Sequence, residues 1–278
     1  MATVEKQQQQ QQEQQHRVFC WTNPRCLSTA FMKCLGNMDG ALAWLEPYGT
    51  AEHFGPEGRL LPPEDVPAEP DYTPAWVQSQ LEGPFEGRRL VFVKDLAYGV
   101  AGHYKYLPKG YRHSFLIRHP LKAFCSYHRL FKSMTAGDSD ASLRAWLPEK
   151  GYGYGELADL ADFVEAELGQ PPVVVDTDDL LADPELVVGR YCEALGMPFT
   201  PALLAWPPGV PDHFIIPGAV MEAEANFKWM SNSLGSCGFS KGLQRDINPE
   251  DVPQVVREMV EVALPYYAKL YAKRILPH

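Results

Sequence analysis

An α/β domain, with a central parallel sheet between two helical layers, is the fold class that this sequence predicts. Three observations predict it. Short, nearly all-apolar runs recur along the chain, as parallel strands covered on both faces require. Segments with apolar residues at helical spacing alternate with them, which argues for crossover connections. The 278 residues, 45% of them hydrophobic and 22% charged, suffice for one large core and exclude wholesale disorder or a disulfide miniprotein.

The elements follow in order. Residues 7 to 15 are eight Gln and one Glu, too polar to offset their ordering entropy, so residues 1–15 are expected to be a disordered tail and 16–278 the domain. The run Arg17 to Thr22 reads as the first strand, and Thr29 to Leu35 as a helix that stops at Gly36. Further strands are expected at Ala41–Leu45, Leu90–Val93, Ser114–Ile117 and Pro172–Val175. The last of these follows a helix with Leu157, Leu160, Ala161, Val164 and Leu168 on one face. Pro47 to Pro74 is rich in Pro, Gly and acidic residues and reads as a long, substrate-facing loop. Six prolines make Pro198 to Gly218 irregular, Ser231 to Gly242 is rich in Gly and Ser, and a helix from about Pro253 to Lys273 closes the domain.

Charge and cysteines bound the function. Lys plus Arg is 25 against 35 Asp plus Glu, a formal charge of −10, which disfavours a general partner for nucleic acid or anionic membranes. The six cysteines show no CxxC spacing and read as reduced thiols. No apolar leader or run of 18 apolar residues is present, so a cytoplasmic protein is expected.

Two segments carry chemistry. Asn23-Pro24-Arg25-Cys26-Leu27-Ser28-Thr29 lies where the first strand meets its helix, a place where amide groups and the helix dipole favour an anion. It lacks the GxxxxGK[ST] pattern that holds nucleotide with magnesium, so an anion bound without metal is expected. An ordinary turn with Ser28 as N-cap is the plainer alternative. The second segment is Arg118-His119-Pro120, with Ser126 about two turns along the next helix. From Leu96 to Gly137 there are seven Lys or Arg and no acidic residue, a sign reversal that points to an anion-binding groove rather than a solvated basic face.

Together these residues resemble the sulfotransferases that use 3′-phosphoadenosine 5′-phosphosulfate. Residues 23–29 are similar to that family's 5′-phosphosulfate loop, and Arg118 with Ser126 to its 3′-phosphate motif. The succession Val173 to Leu180, Asp183-Pro184 and Leu195-Gly196-Met197-Pro198 is similar to a third motif. The resemblance implies a P-loop-like, three-layer α/β fold and sulfuryl transfer to a hydroxyl or amine. It also implies a donor site built from Arg25, Cys26, Leu27, Ser28, Thr29, Arg118 and Ser126. Ser240-Lys241-Gly242, with Arg245 three residues on, is the nearest match to the family's Arg-Lys-Gly loop, and Trp229 or Phe227 would stack on adenine.

Departures also inform. Leu27 replaces the loop's usual glycine, Cys26 its usual serine, and Thr177 the usual tyrosine. Lys94-Asp95-Leu96-Ala97-Tyr98 lacks the cytosolic branch's histidine base and is closer to the Lys-Ser-Pro-Ala-Tyr segment of the glycan-modifying branch, which uses a glutamate after its second strand. Glu46 occupies that place, so it is the first choice for general base, with His53 second. Arg25 and Lys94 would stabilise charge on the leaving oxygen. The expected acceptor is a small molecule entering past residues 47–74, with no metal required. Two rivals are a nucleotide-binding regulator without turnover and a phosphoryl-transfer kinase, the latter needing the GK[ST] pattern that is missing here.

Overall fold

The computed structural model describes residues 15–60, 66–134, 139–240 and 247–276. Its strands are β1 (His16–Thr22), β2 (Ala41–Leu45), β3 (Leu90–Leu96), β4 (Arg112–Ile117), β5 (Val173–Asp176) and β6 (Phe214–Ile215). They form one sheet in the order β5-β4-β1-β3-β2-β6, and every pairing is parallel. The helices are α1 (Ser28–Gly36), α2 (Pro47–Phe54), α3 (Pro74–Leu81), α4 (Pro120–Met134), α5 (Ser139–Ala145), α6 (Tyr154–Leu168), α7 (Thr177–Ala182), α8 (Pro184–Leu195), α9 (Gly218–Phe227), α10 (Ser231–Leu234) and α11 (Gln254–Tyr271).

Period-two alternation sends successive strand residues into two separate cores. Phe19 and Trp21 of β1, Val91 and Val93 of β3, and Phe115 and Ile117 of β4 meet α2, α3, α4, α6 and α11. Val18, Cys20, Leu90, Phe92 and Leu116 face the other way, toward α1, α8 and α9. This is the expected three-layer arrangement, and a sheet buried on both faces explains why its strands read as unbroken apolar runs.

Three features differ from the sequence reading. The stretch after Pro47 begins with a helix, α2, where a loop was expected. Pro47 at its first position is preorganised for helix, and Tyr48 and Ala51 bury against the sheet. Strand β3 extends past Val93 to Leu96, because Lys94, Asp95 and Leu96 stay in register with Cys20, Trp21 and Thr22. The two-residue β6, opposite Ala43 and Trp44, is too short to leave a periodic signal. Gln15, assigned above to the tail, donates to the Phe85 and Arg88 carbonyls at 2.7 and 2.9 Å, while residues 1–14 lie outside the described residues.

Strand β1 sits between β3 and β4, so the connections from its neighbours diverge at its C-terminal end. A crevice opens at such a switch point. The segments after β1, β2, β3 and β4 all converge there.

Candidate active site

The loop after β1 is pinned by Thr22, whose hydroxyl donates to the Leu116 carbonyl of β4 at 2.8 Å. Arg25 and Leu27 then adopt φ of 66° and 58°, in the left-handed region, on either side of Cys26. Leu27, not Ser28, is the N-cap of α1, and it has no side chain to cap with, which corrects the plain-turn expectation. The first helical bond is Phe31 N–H to the Leu27 carbonyl at 3.0 Å, so the amides of Ser28, Thr29 and Ala30 precede the intrahelical ladder.

Arg118, at the end of β4, is buried and donates through Nη1 to the Arg25 carbonyl at 2.8 Å. Its backbone carbonyl accepts from the Tyr154 hydroxyl at 2.7 Å. Arg25 in turn donates through Nε to Ser126 Oγ at 3.2 Å and through Nη1 to the Trp229 carbonyl at 2.5 Å. The two segments singled out from sequence therefore form one cluster. Burial lowers the Arg25 pKa, and the like charge of Arg118 adds to the effect. Arg118 Nε is buried with no hydrogen-bond partner among the described residues. An orphaned guanidinium N–H costs free energy unless an acceptor is supplied from outside the chain.

At the neighbouring strand ends, Lys94 of β3 is buried and paired with Glu46, the residue between β2 and α2. Glu46 takes φ 49°, and its backbone N–H donates to the Lys94 carbonyl at 2.7 Å, so backbone and side chain join the same two residues. His53 is on α2 rather than in a loop, and it is buried. Its Nε2 lies 3.2 Å from the Tyr98 hydroxyl and its ring stacks on Trp146 with centroids 5.5 Å apart.

One cavity of about 680 Å³ joins these groups. Arg25, Leu27, Ser28, Thr29, Glu46, His53, Lys94, Arg118 and Ser126 all line it. Cys26 does not: its side chain is fully buried beneath the loop, and burial raises the thiol pKa. Thr177 is also turned inward, donating to the Cys26 and Ile117 carbonyls at 3.2 and 2.7 Å, so it ties the loop to the sheet where the family's tyrosine was compared. Trp229 reaches the cavity and Phe227 is not among its lining residues. Lys241, Gly242 and Arg245 lie outside the described residues.

A family model described as "Sulfotransferase domain" matches residues 16–274. The chain belongs to the sulfotransferase domain family. Among curated proteins, this sulfotransferase-family chain is 26% identical over 267 residues to branched-chain-amino-acid aminotransferase-like protein 2 of Arabidopsis thaliana, covering 90% of this chain and 40% of that one. It is 27% identical over 157 residues to the aminotransferase-like protein 1 of the same plant, covering 56% of this chain and 23% of that one. The chain thus spans less than half the length of these relatives. Among solved structures, the sulfotransferase domain from the curacin biosynthetic pathway superposes with a TM-score of 0.55 at 13% identity, covering 90% of this chain and 98% of that one. A sulfotransferase from Alicyclobacillus acidocaldarius gives 0.53 at 15% identity, covering 94% and 97%. These likenesses establish the shared fold.

Sequence reasoning passed over several lining residues of the sulfotransferase-family cavity. Lys122 and Tyr127 flank Ser126 on α4, and Lys122 stands four residues before it, a spacing that places both on one helix face. That signal was available. Trp146 and Lys228 arrive from segments with no motif, so nothing local marks them.

Proposed function

We propose that this chain transfers the sulfonate of 3′-phosphoadenosine 5′-phosphosulfate to a hydroxyl or amine of a small molecule. The observation that carries the reading is the buried Arg118 Nε–H, without a partner among the described residues and held beside Arg25, Ser126 and the start of α1 in the cavity that also contains the Lys94–Glu46 pair. A buried guanidinium N–H with no acceptor among the described residues, beside a second cation and a helix N-terminus, fits an anionic ligand. When bound, that donor supplies the activated sulfonate.

The chain's own residues do the rest. Arg118, Ser126 and Arg25 hold phosphate oxygens, and the amides at Ser28 and Thr29 add the positive end of the α1 dipole. Lys94 stabilises the negative charge that develops on the leaving oxygen. Glu46 accepts the proton of the attacking hydroxyl or amine, with Lys94 beside it to hold the carboxylate.

The regulator reading rests on Leu27 at the loop's usual glycine and on the absent histidine base. Leu27 takes φ 58°, the conformation a glycine would supply, which weakens the first of these grounds.

The test uses the full chain, with calorimetry against adenosine 3′,5′-bisphosphate and isotopically labelled donor supplied with an acceptor panel of alcohols, phenols and amines. Saturable binding and a labelled product are expected. Glu46→Gln is expected to keep the binding and lower transfer by roughly 10²- to 10⁴-fold, the range for a lost general base. Absence of nucleotide binding, or near-full transfer by Glu46→Gln, refutes the assignment.

A further inference from the structure

Helix α2 presents an accounting problem at its N-terminus. Glu46 is the residue at the N-cap position, yet its side chain makes no capping bond and turns instead to Lys94. The first amides of the helix still need acceptors. Pro47, at the first position, has no N–H to satisfy. Thr50 N–H reaches the Glu46 carbonyl at 2.8 Å, the first bond of the ladder. That leaves Tyr48 and Gly49.

Both amides go to one carboxylate from a different element. Asp95, the next residue after Lys94 on β3, is fully buried and accepts from Tyr48 N–H at 2.6 Å on Oδ2 and from Gly49 N–H at 2.9 Å on Oδ1. Its Oδ1 also accepts from Leu96 N–H at 2.8 Å. The fit is close, because a Cβ at position 49 would meet Asp95 Oδ1 at 3.2 Å and Leu96 Cδ1 at 3.4 Å. A negative group at a helix N-terminus is favourable both through these bonds and through the helix dipole.

We infer that Asp95 is a positioning residue: it caps α2 from the neighbouring strand and thereby releases the Glu46 carboxylate to face Lys94 in the cavity. The inference deepens the reading above and rests on it for the role of Glu46. Period-two geometry makes the division of labour possible. Successive residues of β3 point to opposite faces, so Lys94 and Asp95 cannot serve the same surface. Burial pushes the Asp95 carboxyl up to about 7, and the three N–H bonds act against that rise. Without Asp95, the two buried amides are left beside Glu46, which stands at the N-cap with its Cβ 3.5 Å from where a Cβ at position 49 would lie. Recruiting the Glu46 carboxylate would break the pair with Lys94.

The experiment is backbone amide exchange by NMR on the full chain, comparing the original protein, Asp95→Asn and Glu46→Gln. Tyr48 and Gly49 amides are expected to be protected in the original protein and in Glu46→Gln, and the Tyr48 amide, whose Oδ2 acceptor becomes a donor NH2 group, to exchange at least tenfold faster in Asp95→Asn. A crystal structure of Asp95→Asn is expected to show the Glu46 carboxylate turned from Lys94 toward the helix start. In transfer assays, Asp95→Asn is expected to lower kcat at least tenfold with adenosine 3′,5′-bisphosphate affinity within threefold, and adding Glu46→Gln is expected to lower kcat little further. Loss of Tyr48 and Gly49 protection in Glu46→Gln overturns the inference even if Asp95→Asn does not fold. So does an Asp95→Asn structure that retains the Glu46–Lys94 pair. The exchange and structural readouts need no substrate, so a failure of the donor assignment remains distinguishable from a failure of this one.

Discussion

Replacing Arg118 by methionine separates a ligand-binding cation from a structural one, because the two roles predict opposite signs. The substitution removes the Nη1 bond to the Arg25 carbonyl, 2.8 Å long, a loss of about 1.5–3 kcal/mol for a bond from a charged donor. It also removes a buried guanidinium N–H that has no partner among the described residues, a group that costs about 1–3 kcal/mol while unsatisfied. The similar-sized thioether fills the space, so the two changes nearly cancel and stability of the ligand-free protein stays within about 1 kcal/mol, or rises. Binding has no such cancellation. Charge-assisted bonds to phosphate contribute about 1.5–3 kcal/mol each, so losing one weakens adenosine 3′,5′-bisphosphate by roughly 10- to 150-fold, at about 1.4 kcal/mol per decade. Urea unfolding and calorimetry on the same preparation measure the two quantities. The reasoning is refuted if affinity changes less than threefold, or if stability falls by several kcal/mol.

The other expectations concern the loop, its neighbours and the core. Leu27 in the left-handed region carries about 1–2 kcal/mol of strain, so Leu27→Gly should hold or raise the melting temperature while β-branched Leu27→Val lowers it; the reverse order contradicts the conformation described. Lys33, buried on α1, donates to the Ser233, Leu234 and Ser236 carbonyls at 3.4, 2.7 and 3.0 Å, holding one wall of the cavity. Lys33→Met should therefore cost about 2 kcal/mol in urea and speed amide exchange across residues 231–237, and an unchanged midpoint would deny the clasp. His113 accepts from Trp21 Nε1 at 3.0 Å, and burial lowers its pKa to about 4 from the ordinary 6.5. Its contribution is thus present above pH 6.5 and lost as pH falls toward 4. The stability difference between the original protein and His113→Gln should shrink by about 3 kcal/mol over that window, and a pH-independent difference would exclude a neutral buried imidazole.

Much of this architecture was legible in the chain. Five of the six strands announce themselves as apolar runs, because a sheet covered on both faces leaves no polar alternation to disguise them. Arg25, Ser28 and Arg118 were marked by their places at strand-helix junctions, where chain direction alone dictates that amides and dipoles converge, and Ser126 by its place about two turns along the helix after Arg118. Helix α2 was hidden, since its Pro, Gly and Thr are poor helix formers and its stability comes from burial of Tyr48 and Ala51.

Sequence alone therefore settled the α/β class, the existence of five of the six strands and the concentration of positive charge near residues 96–137, all properties of local pattern. Only the tertiary structure decided which of those groups are committed. It turned Cys26 and Thr177 into the loop's underside, left Arg118 Nε without an acceptor among the described residues, and assigned the capping of α2 to Asp95 so that Glu46 meets Lys94. Hydrogen-bond accounting depends on residues brought together from distant parts of the chain, and no periodicity records who their partners are.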